Sequence, residues 1–209
     1  MARYIDPVCR QCRRIGEKLF LKGERCYTPK CAVERRKRPP GEAVPRRRRP
    51  SDWAIQLREK QKARFTYGVL ERQFRRYFDI ARDQPGVTGD LLLQLLESRL
   101  DNVVYSLSFV DSRRQGRQLV NHGHMRVNGA RVSIPSYRVK PGDIVSWKVT
   151  DDNVPPFVEA LAEGIPKRPV PEWLTLDAEN LTGRVASIPD MSDINTGIDS
   201  RLIVEFYSR

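Results

Sequence analysis

Four cysteines carry the strongest chemical signal in this sequence. Cys9-x2-Cys12 is followed, thirteen residues later, by Cys26-x4-Cys31. Paired cysteines separated by a short loop match the ligand spacing of a closed tetrathiolate site. A Cys-x-x-Cys turn aims backbone N–H groups at the sulfurs, and Arg10, Arg13 and Arg25 nearby favour thiolates. Four sulfurs leave no open coordination position, so the site would be structural. A segment this polar is not expected to fold by burial; a metal would supply the missing free energy, on the order of 10 kcal/mol. Zinc is the default ion, and a [4Fe–4S] cluster uses the same four ligands. Two disulfides or four buried thiols are the readings without a metal.

Other constellations are weaker. The only histidines, His122 and His124, have no cysteine or carboxylate beside them, and Arg113, Arg114 and Arg126 lie close in sequence. Contacts to phosphate or a base suit them better than metal ligation. Asp151-Asp152 sits in a loop after the last expected strand and reads as solvated surface. There is no G-x-S-x-G, no P-loop and no dinucleotide-binding glycine pattern, so nothing here points to an enzyme.

The 209 residues carry 38 Lys+Arg against 26 Asp+Glu, a net +12 that is unevenly spread. Residues 1–50 carry +11, 51–100 carry +2, 101–150 carry +5 and 151–209 carry −6. Arg35-Arg36-Lys37-Arg38 and Arg46-Arg47-Arg48-Arg49 place like charges side by side, which repel unless an anion neutralises them. Such segregation suggests a polyanion-facing side and a different, acidic surface. The densest apolar run, Leu91–Leu96, is interrupted by Gln94, far short of a membrane span. Met1–Asp6 lacks the apolar stretch of a secretory signal, so a cytoplasmic, reducing setting is expected.

These side chains need elements to hold them. Pro39-Pro40-Gly41, Pro45 and Pro50 mark an extended basic connector. Ser51 is placed to cap a helix running to Arg64 and stopped by Gly68. A second helix is expected from about Leu70 to Arg82, with Phe74, Tyr77, Phe78 and Ala81 buried. From Thr88, leucines and valines recur at helical period through Leu107, with a break near Asp101. Ser112 should cap a helix that ends at Gly123, burying Gly116, Leu119 and Val120 and exposing Arg113, Arg114, Arg117, Gln118, Asn121 and His122. Asn128-Gly129 predicts a type I′ hairpin. Tyr137–Lys140 and Ile144–Trp147 read as strands, 151–200 as irregular with a short helix from about Pro156 to Glu163, and Leu202–Tyr207 as a docked strand.

The runs Ser98-Arg99-Leu100-Asp101-Asn102-Val103-Val104-Tyr105 and Ser112-Arg113-Arg114-Gln115-Gly116-Arg117-Gln118-Leu119-Val120-Asn121-His122-Gly123-His124, followed by Val127-Asn128-Gly129, resemble the RNA-binding domain of the bacterial small-subunit ribosomal protein four family. The resemblance spans nearly the whole chain. It includes Arg3-Tyr4, the four-Cys segment, Pro50-Ser51-Asp52, Leu57-Arg58-Glu59-Lys60-Gln61, Glu71-Arg72-Gln73-Phe74 and Val204-Glu205-Phe206-Tyr207-Ser208-Arg209. Gly116 stands where members often carry alanine, which on propensity alone weakens the helix slightly.

The resemblance implies a primary assembly protein that binds a helical junction in the 5′ domain of 16S ribosomal RNA, lines the mRNA entry channel beside ribosomal proteins three and five, and influences decoding accuracy. Some members also repress their own mRNA. The expected fold is α+β in three parts: a four-Cys metal-binding segment with basic linker (1–45), a helical domain (46–97) joined by the tail 198–209, and a small α/β RNA-binding domain of helices and antiparallel hairpins (98–197), with an acidic, Pro-rich extension after 150.

Expected RNA contacts come from three regions. The first is Arg3, Tyr4, Arg10, Arg13, Arg14, Lys22, Arg25, Lys30, Arg35, Arg36, Lys37, Arg46, Arg47, Arg48 and Arg49. The second is Arg58, Lys60, Lys62, Arg64 and Arg72. The third is Arg113, Arg114, Arg117, Gln118, Asn121, His122, His124, Arg126, Asn128 and Arg131. Two rival classes fit less well. Enzymes that carry a similar RNA-binding domain need a separate catalytic domain, and a DNA-binding metal protein would show heptads or finger repeats.

Overall fold

The computed structural model describes residues 4–36, 38–42, 49–148, 158, 165, 168–194 and 196–208. The chain forms two compact units, Met1–Leu92 with Thr196–Arg209, and Leu93–Asn195. Among the described residues there are eight α-helices and one five-stranded antiparallel sheet, the α+β class expected. None of the described helices is long and apolar enough to cross a membrane.

The first unit begins with α1 (Cys9–Ile15), a 3-10 turn (Gly23–Cys26) and α2 (Ala32–Arg35). This segment has a small core of its own, because Val8, Cys12, Ile15, Leu19 and Leu21 pack together with Val33 and Phe65. This small core adds some burial to a segment whose polarity is not expected to let it fold by burial. Helix α3 (Asp52–Thr66) is capped by Ser51, whose Oγ accepts the Ala54 N–H at 3.3 Å. Helix α4 (Glu71–Arg82) buries Phe74, Tyr77, Phe78 and Ala81, the stripe its spacing predicts.

The C-terminal strand expectation fails: Ser200–Tyr207 is a helix, α8. Its β-branched run suggests a strand, but Asp199 caps it by accepting the Arg201 N–H at 3.0 Å. Ile203, Phe206 and Tyr207 then share a helical seam. Helix α8 lies on α3, with Glu205 accepting from Gln56 at 2.8 Å and Phe206 beneath the Lys60 ammonium at 4.9 Å. The buried face of α3 is consequently polar, carrying Gln56, Lys60, Lys62 and Thr66.

The division between units falls inside α5 (Thr88–Glu97). In the second unit α6 spans Leu100–Ser106 and α7 Arg113–His122. The apolar run breaks at Ser98-Arg99, two residues before the expected point, where Arg99 is extended (φ −72°, ψ 137°). Strands β1 (Met125–Val127), β2 (Ala130–Arg131), β3 (Ile144–Trp147), β4 (Leu174–Asp177) and β5 (Thr182–Val185) form a sheet in the order β2-β1-β3-β5-β4. Asn128 and Gly129, at φ 50° and 79°, make the expected left-handed turn.

Two strand expectations are corrected. Tyr137–Lys140 gives only a single bridge, Arg138 to Arg99. The stretch called irregular contains β4 and β5, whose four-residue lengths and mixed composition hide them. The helix expected from Pro156 to Glu163 lies outside the described residues apart from Val158, which is buried in the core. That core joins Leu100, Val103, Val104, Leu107 and Val120 of the helical layer to Met125, Val127, Val145, Trp147, Leu174 and Val185 of the sheet.

Candidate nucleic-acid interface

Helix α7 is defined at both ends. Ser112 Oγ accepts the Gln115 N–H at 3.3 Å, and Gly123, left-handed at φ 75°, closes the last turn onto the Leu119 and Val120 carbonyls. Gly116 faces α6 so closely that an added Cβ would stand 2.8 Å from the Asp101 carbonyl oxygen. The glycine is therefore a close-approach position, and the reading of it as a slight weakness omits this packing role.

The six-residue exposed face expected for α7 divides in two. Arg113 and Arg117 turn toward α6 and are half-buried. Arg113 Nε donates to Asn102 Oδ1 at 2.6 Å, and its guanidinium lies 4.4 Å from the Tyr105 ring centre. Arg117 Nη1 donates to Asp101 Oδ2 at 3.3 Å. That carboxylate also accepts from the fully buried Arg99, at 3.0 Å and 2.6 Å. Asn102 Nδ2 in turn donates to Glu97 Oε2 at 2.5 Å. Buried charges are tolerable because each meets an opposite charge or a hydrogen-bond partner. Arg114, Gln118, Asn121 and His122 remain on the exposed side, spaced for one row along the helix.

The hairpin extends this row. Arg131 reaches back over Gly123 and donates to the His122 carbonyl at 3.3 Å. The His122 and His124 rings are 6.2 Å apart. Partial burial, with His122, Lys148 and Arg131 nearby, holds His124 below the usual histidine pKa. Arg126 is half-exposed on β1. Asn128 is occupied locally: it donates to Asp143 at 2.8 Å and accepts the Ile144 N–H at 2.9 Å, pinning β1 to β3.

On α3, Lys60 and Lys62 are buried rather than presented to solvent. Lys60 pairs with Glu71 at 2.6 Å. Lys62 pairs with Glu17 at 2.7 Å and donates to the Gly197 carbonyl at 2.5 Å. Arg64 shares Glu71 at 2.7 Å, and Arg58 donates to the Ile15 carbonyl. Arg72 is exposed. The sequence shows cations at helical spacing but not that α8 and Glu71 cover them.

In the N-terminal segment Arg10, Arg14, Lys22, Arg25, Lys30, Arg35, Arg36, Arg49 and Tyr4 are exposed. Arg13 is half-buried, donating to the Arg38 and Pro39 carbonyls at 2.9 and 3.3 Å. Arg3, Lys37, Arg46, Arg47 and Arg48 lie outside the described residues, as does Asp151-Asp152. All four cysteines line one pocket, and none is in a disulfide. The Lys22 N–H points at Cys26 Sγ at 3.4 Å. Burial is the main cause pushing the Cys12 thiol up to about 11, with added repulsion from the other three cysteines, and it raises Cys26 too. Among the described residues no group of three or more Cys, His, Asp or Glu stands at metal-holding spacing.

One residue of this unit escaped the sequence reading. Arg168 donates to the Tyr105, Val110 and Asp111 carbonyls at 2.8, 2.6 and 3.2 Å and lies 4.0 Å from the Tyr105 ring centre, tying its own segment to the α6–α7 turn. Nothing local marks an arginine after a proline-rich stretch for that role.

Two family models match the chain: the ribosomal protein S4/S9 N-terminal domain over residues 3–97 and the S4 domain over residues 98–145. The small ribosomal subunit protein uS4 of Thermus thermophilus is 55% identical over 210 residues, and those of Dictyoglomus turgidum and Pelotomaculum thermopropionicum are 54% and 53% identical over 209; each match covers both chains completely. With the cationic helix–hairpin on a domain of this type, the chain belongs to the uS4 family, whose members are structural, RNA-binding proteins of the small ribosomal subunit and not enzymes.

Proposed function

We propose that this chain is a primary 16S ribosomal RNA-binding protein that organises a helical junction of the 5′ domain and so nucleates small-subunit assembly. The observation that carries the reading is the continuous outward set Arg114, Gln118, Asn121, His122, Arg131 and Arg126 on a helix and hairpin held from behind by buried ion pairs. Such a surface reads phosphate, 2′-OH and shape, as folded RNA requires. The exposed N-terminal cations, with Arg3, Lys37 and Arg46–Arg48, supply a second arm. The proposal extends to the mRNA entry channel beside ribosomal proteins three and five, to translational accuracy, to repression of its own mRNA and to work within cytoplasmic ribosomes.

The test is binding of the full chain to a 5′-domain 16S transcript and to duplex DNA over a salt series. Arg114→Ala with Arg131→Ala should weaken transcript binding at least tenfold and flatten the salt slope. Tighter binding to duplex DNA, or an unchanged affinity and slope, overturns the reading.

Cys9, Cys12, Cys26 and Cys31 would hold one structural Zn2+, with a [4Fe–4S] cluster as the alternative on the same ligands. A shared pocket, four soft donors and an amide N–H aimed at Cys26 support that donor set. The ion would neutralise the thiolates that burial otherwise disfavours. Metal analysis of anaerobically purified protein, with an absorption spectrum, separates zinc from iron.

A further inference from the structure

The five-stranded sheet has a second face, of which the readings above use only Arg126 and Arg131 on β1 and β2. Its register sets that face. Across neighbouring strands Arg131 is opposite Arg126, Arg126 opposite Ser146, Ser146 opposite Thr182 and Thr182 opposite Asp177. Residues in register on adjacent strands share a face, so this row crosses all five strands. The next row on the same face holds Ile144, Arg184 and Thr175. The opposite face belongs to the core: Met125, Val127, Val145, Trp147 and Val185 are buried there, and Gly183 lies so close to the Leu107 side chain that no Cβ fits.

The charges on the outward face differ from those on α3 and on the inner side of α7. On α3 the cations meet carboxylates, and on α7 Arg113 and Arg117 meet α6. Among the described residues Arg126, Arg131, Lys148 and Arg184 take part in no ion pair. Lys148 follows β3, its N–H donating to the His124 carbonyl at 2.7 Å, which puts it at the α7 end of the face. The acid of the row, Asp177, is turned to its own β-turn, accepting from Asn180 Nδ2 at 2.7 Å and from the Glu179 and Asn180 amides. Cations interleaved with hydroxyls across one sheet face complement a phosphodiester backbone: guanidinium and ammonium groups meet phosphate, and Ser and Thr donate to phosphate or 2′-OH. An apolar protein surface would leave these groups unpaired, and an acidic one is the rival occupant that the salt slope and subunit incorporation below separate from RNA.

We propose that the open face of the sheet is a second RNA-binding surface, with Arg184, Lys148, Ser146 and Thr182 gripping the backbone of a segment distinct from the one read by the exposed row of α7. It rests on the ribosomal-RNA reading above but adds contacts from strands β3 and β5, one of them within the acidic quarter of the chain. The experiment measures affinity of the full chain for the 5′-domain 16S transcript against salt, comparing wild type with Lys148→Ala/Arg184→Ala and with Lys148→Arg/Arg184→Lys. Two lost phosphate contacts should flatten the log–log slope by about 1.8 on duplex RNA, taking the B-DNA coefficient, or about 1.4 on a single strand. Transcript affinity should fall at least tenfold at moderate salt, and the charge-conserving pair should retain binding. If wild type fails to bind the transcript, the ribosomal-RNA reading itself falls. If wild type binds and the alanine pair matches it in affinity and slope, the second surface falls while the first stands. An unchanged slope together with poor incorporation into reconstituted small subunits would assign the face to a protein neighbour and overturn the proposal.

Discussion

At the scale of residues, arginines of similar appearance in the sequence have different physical tasks. Arg113 and Arg114 are adjacent, yet Arg113 is wedged against Asn102 and Tyr105 while Arg114 is on the exposed side. Their alanine variants should therefore separate. Arg113→Ala leaves buried Asn102 and Glu97 short of a donor and should cost roughly 2–3 kcal/mol of stability, read as a lower midpoint in thermal or urea unfolding. Arg114→Ala should leave that midpoint within about 0.5 kcal/mol and reduce the salt slope of RNA binding by about one contact. Equal loss of stability in both variants would refute this division. The sequence wheel reveals the α7 face, but the wheel has no depth. Gly116, which lets α7 approach the Asp101 backbone, decides which side of that face sinks, and nothing in one sequence states that distance.

At the scale of elements, α3, α4 and α8 are joined by a polar cluster around Glu71. Its carboxylate accepts from Tyr207 at 2.9 Å and from Arg64 at 2.7 Å, and pairs with Lys60 at 2.6 Å. Burial pushes its pKa up, but these hydrogen bonds outweigh that effect and hold it below the ordinary glutamate value. A carboxylate lowered in the folded state stabilises at pH above its unfolded value, and the contribution disappears as pH falls through the folded one. Acidification from about pH 5 to 3 should thus lower the stability of the wild type more steeply than that of Glu71→Gln. At neutral pH Glu71→Gln should cost roughly 1–2 kcal/mol, because the buried Lys60 ammonium loses its carboxylate while solvent at the half-exposed Glu71 screens part of the loss. Parallel acid-unfolding curves followed by circular dichroism would contradict this account. Helices with apolar stripes, such as α4, and the Asn128-Gly129 turn are legible from periodicity and turn chemistry. The tail is not, because Leu202–Tyr207 has strand-like composition and only Asp199 and its docking on α3 make it helical. Strands β4 and β5 are hidden for a related reason: each is four residues long, and Gly183, required by Leu107, interrupts the expected pattern.

At the scale of the molecule, the charge segregation legible in the sequence acquires surfaces, although its simple form does not survive. The basic quarters contain Lys60 and Lys62, both buried, and the acidic quarter contributes Arg184 to an open sheet face. With the proposed metal on the four cysteines, the two units should respond differently to its removal. A strong chelator is expected to loosen residues 1–45, seen as faster amide exchange there, while the core around Leu100, Val120, Met125 and Trp147 keeps its protection. Exchange that accelerates uniformly through both units would show that the segment is not an independent responder. The packing of α8 on α3 also has a consequence in time. Residues 56–66 are translated long before residues 197–207, yet Lys62 finds the Gly197 carbonyl and Gln56 finds Glu205 only once the end of the chain exists. During synthesis the first unit therefore waits with a polar helix face uncovered, while the second already has every strand of its sheet. The domain begun first is finished last, so a premature stop a dozen residues early would spare the sheet and leave the helical unit without its lid.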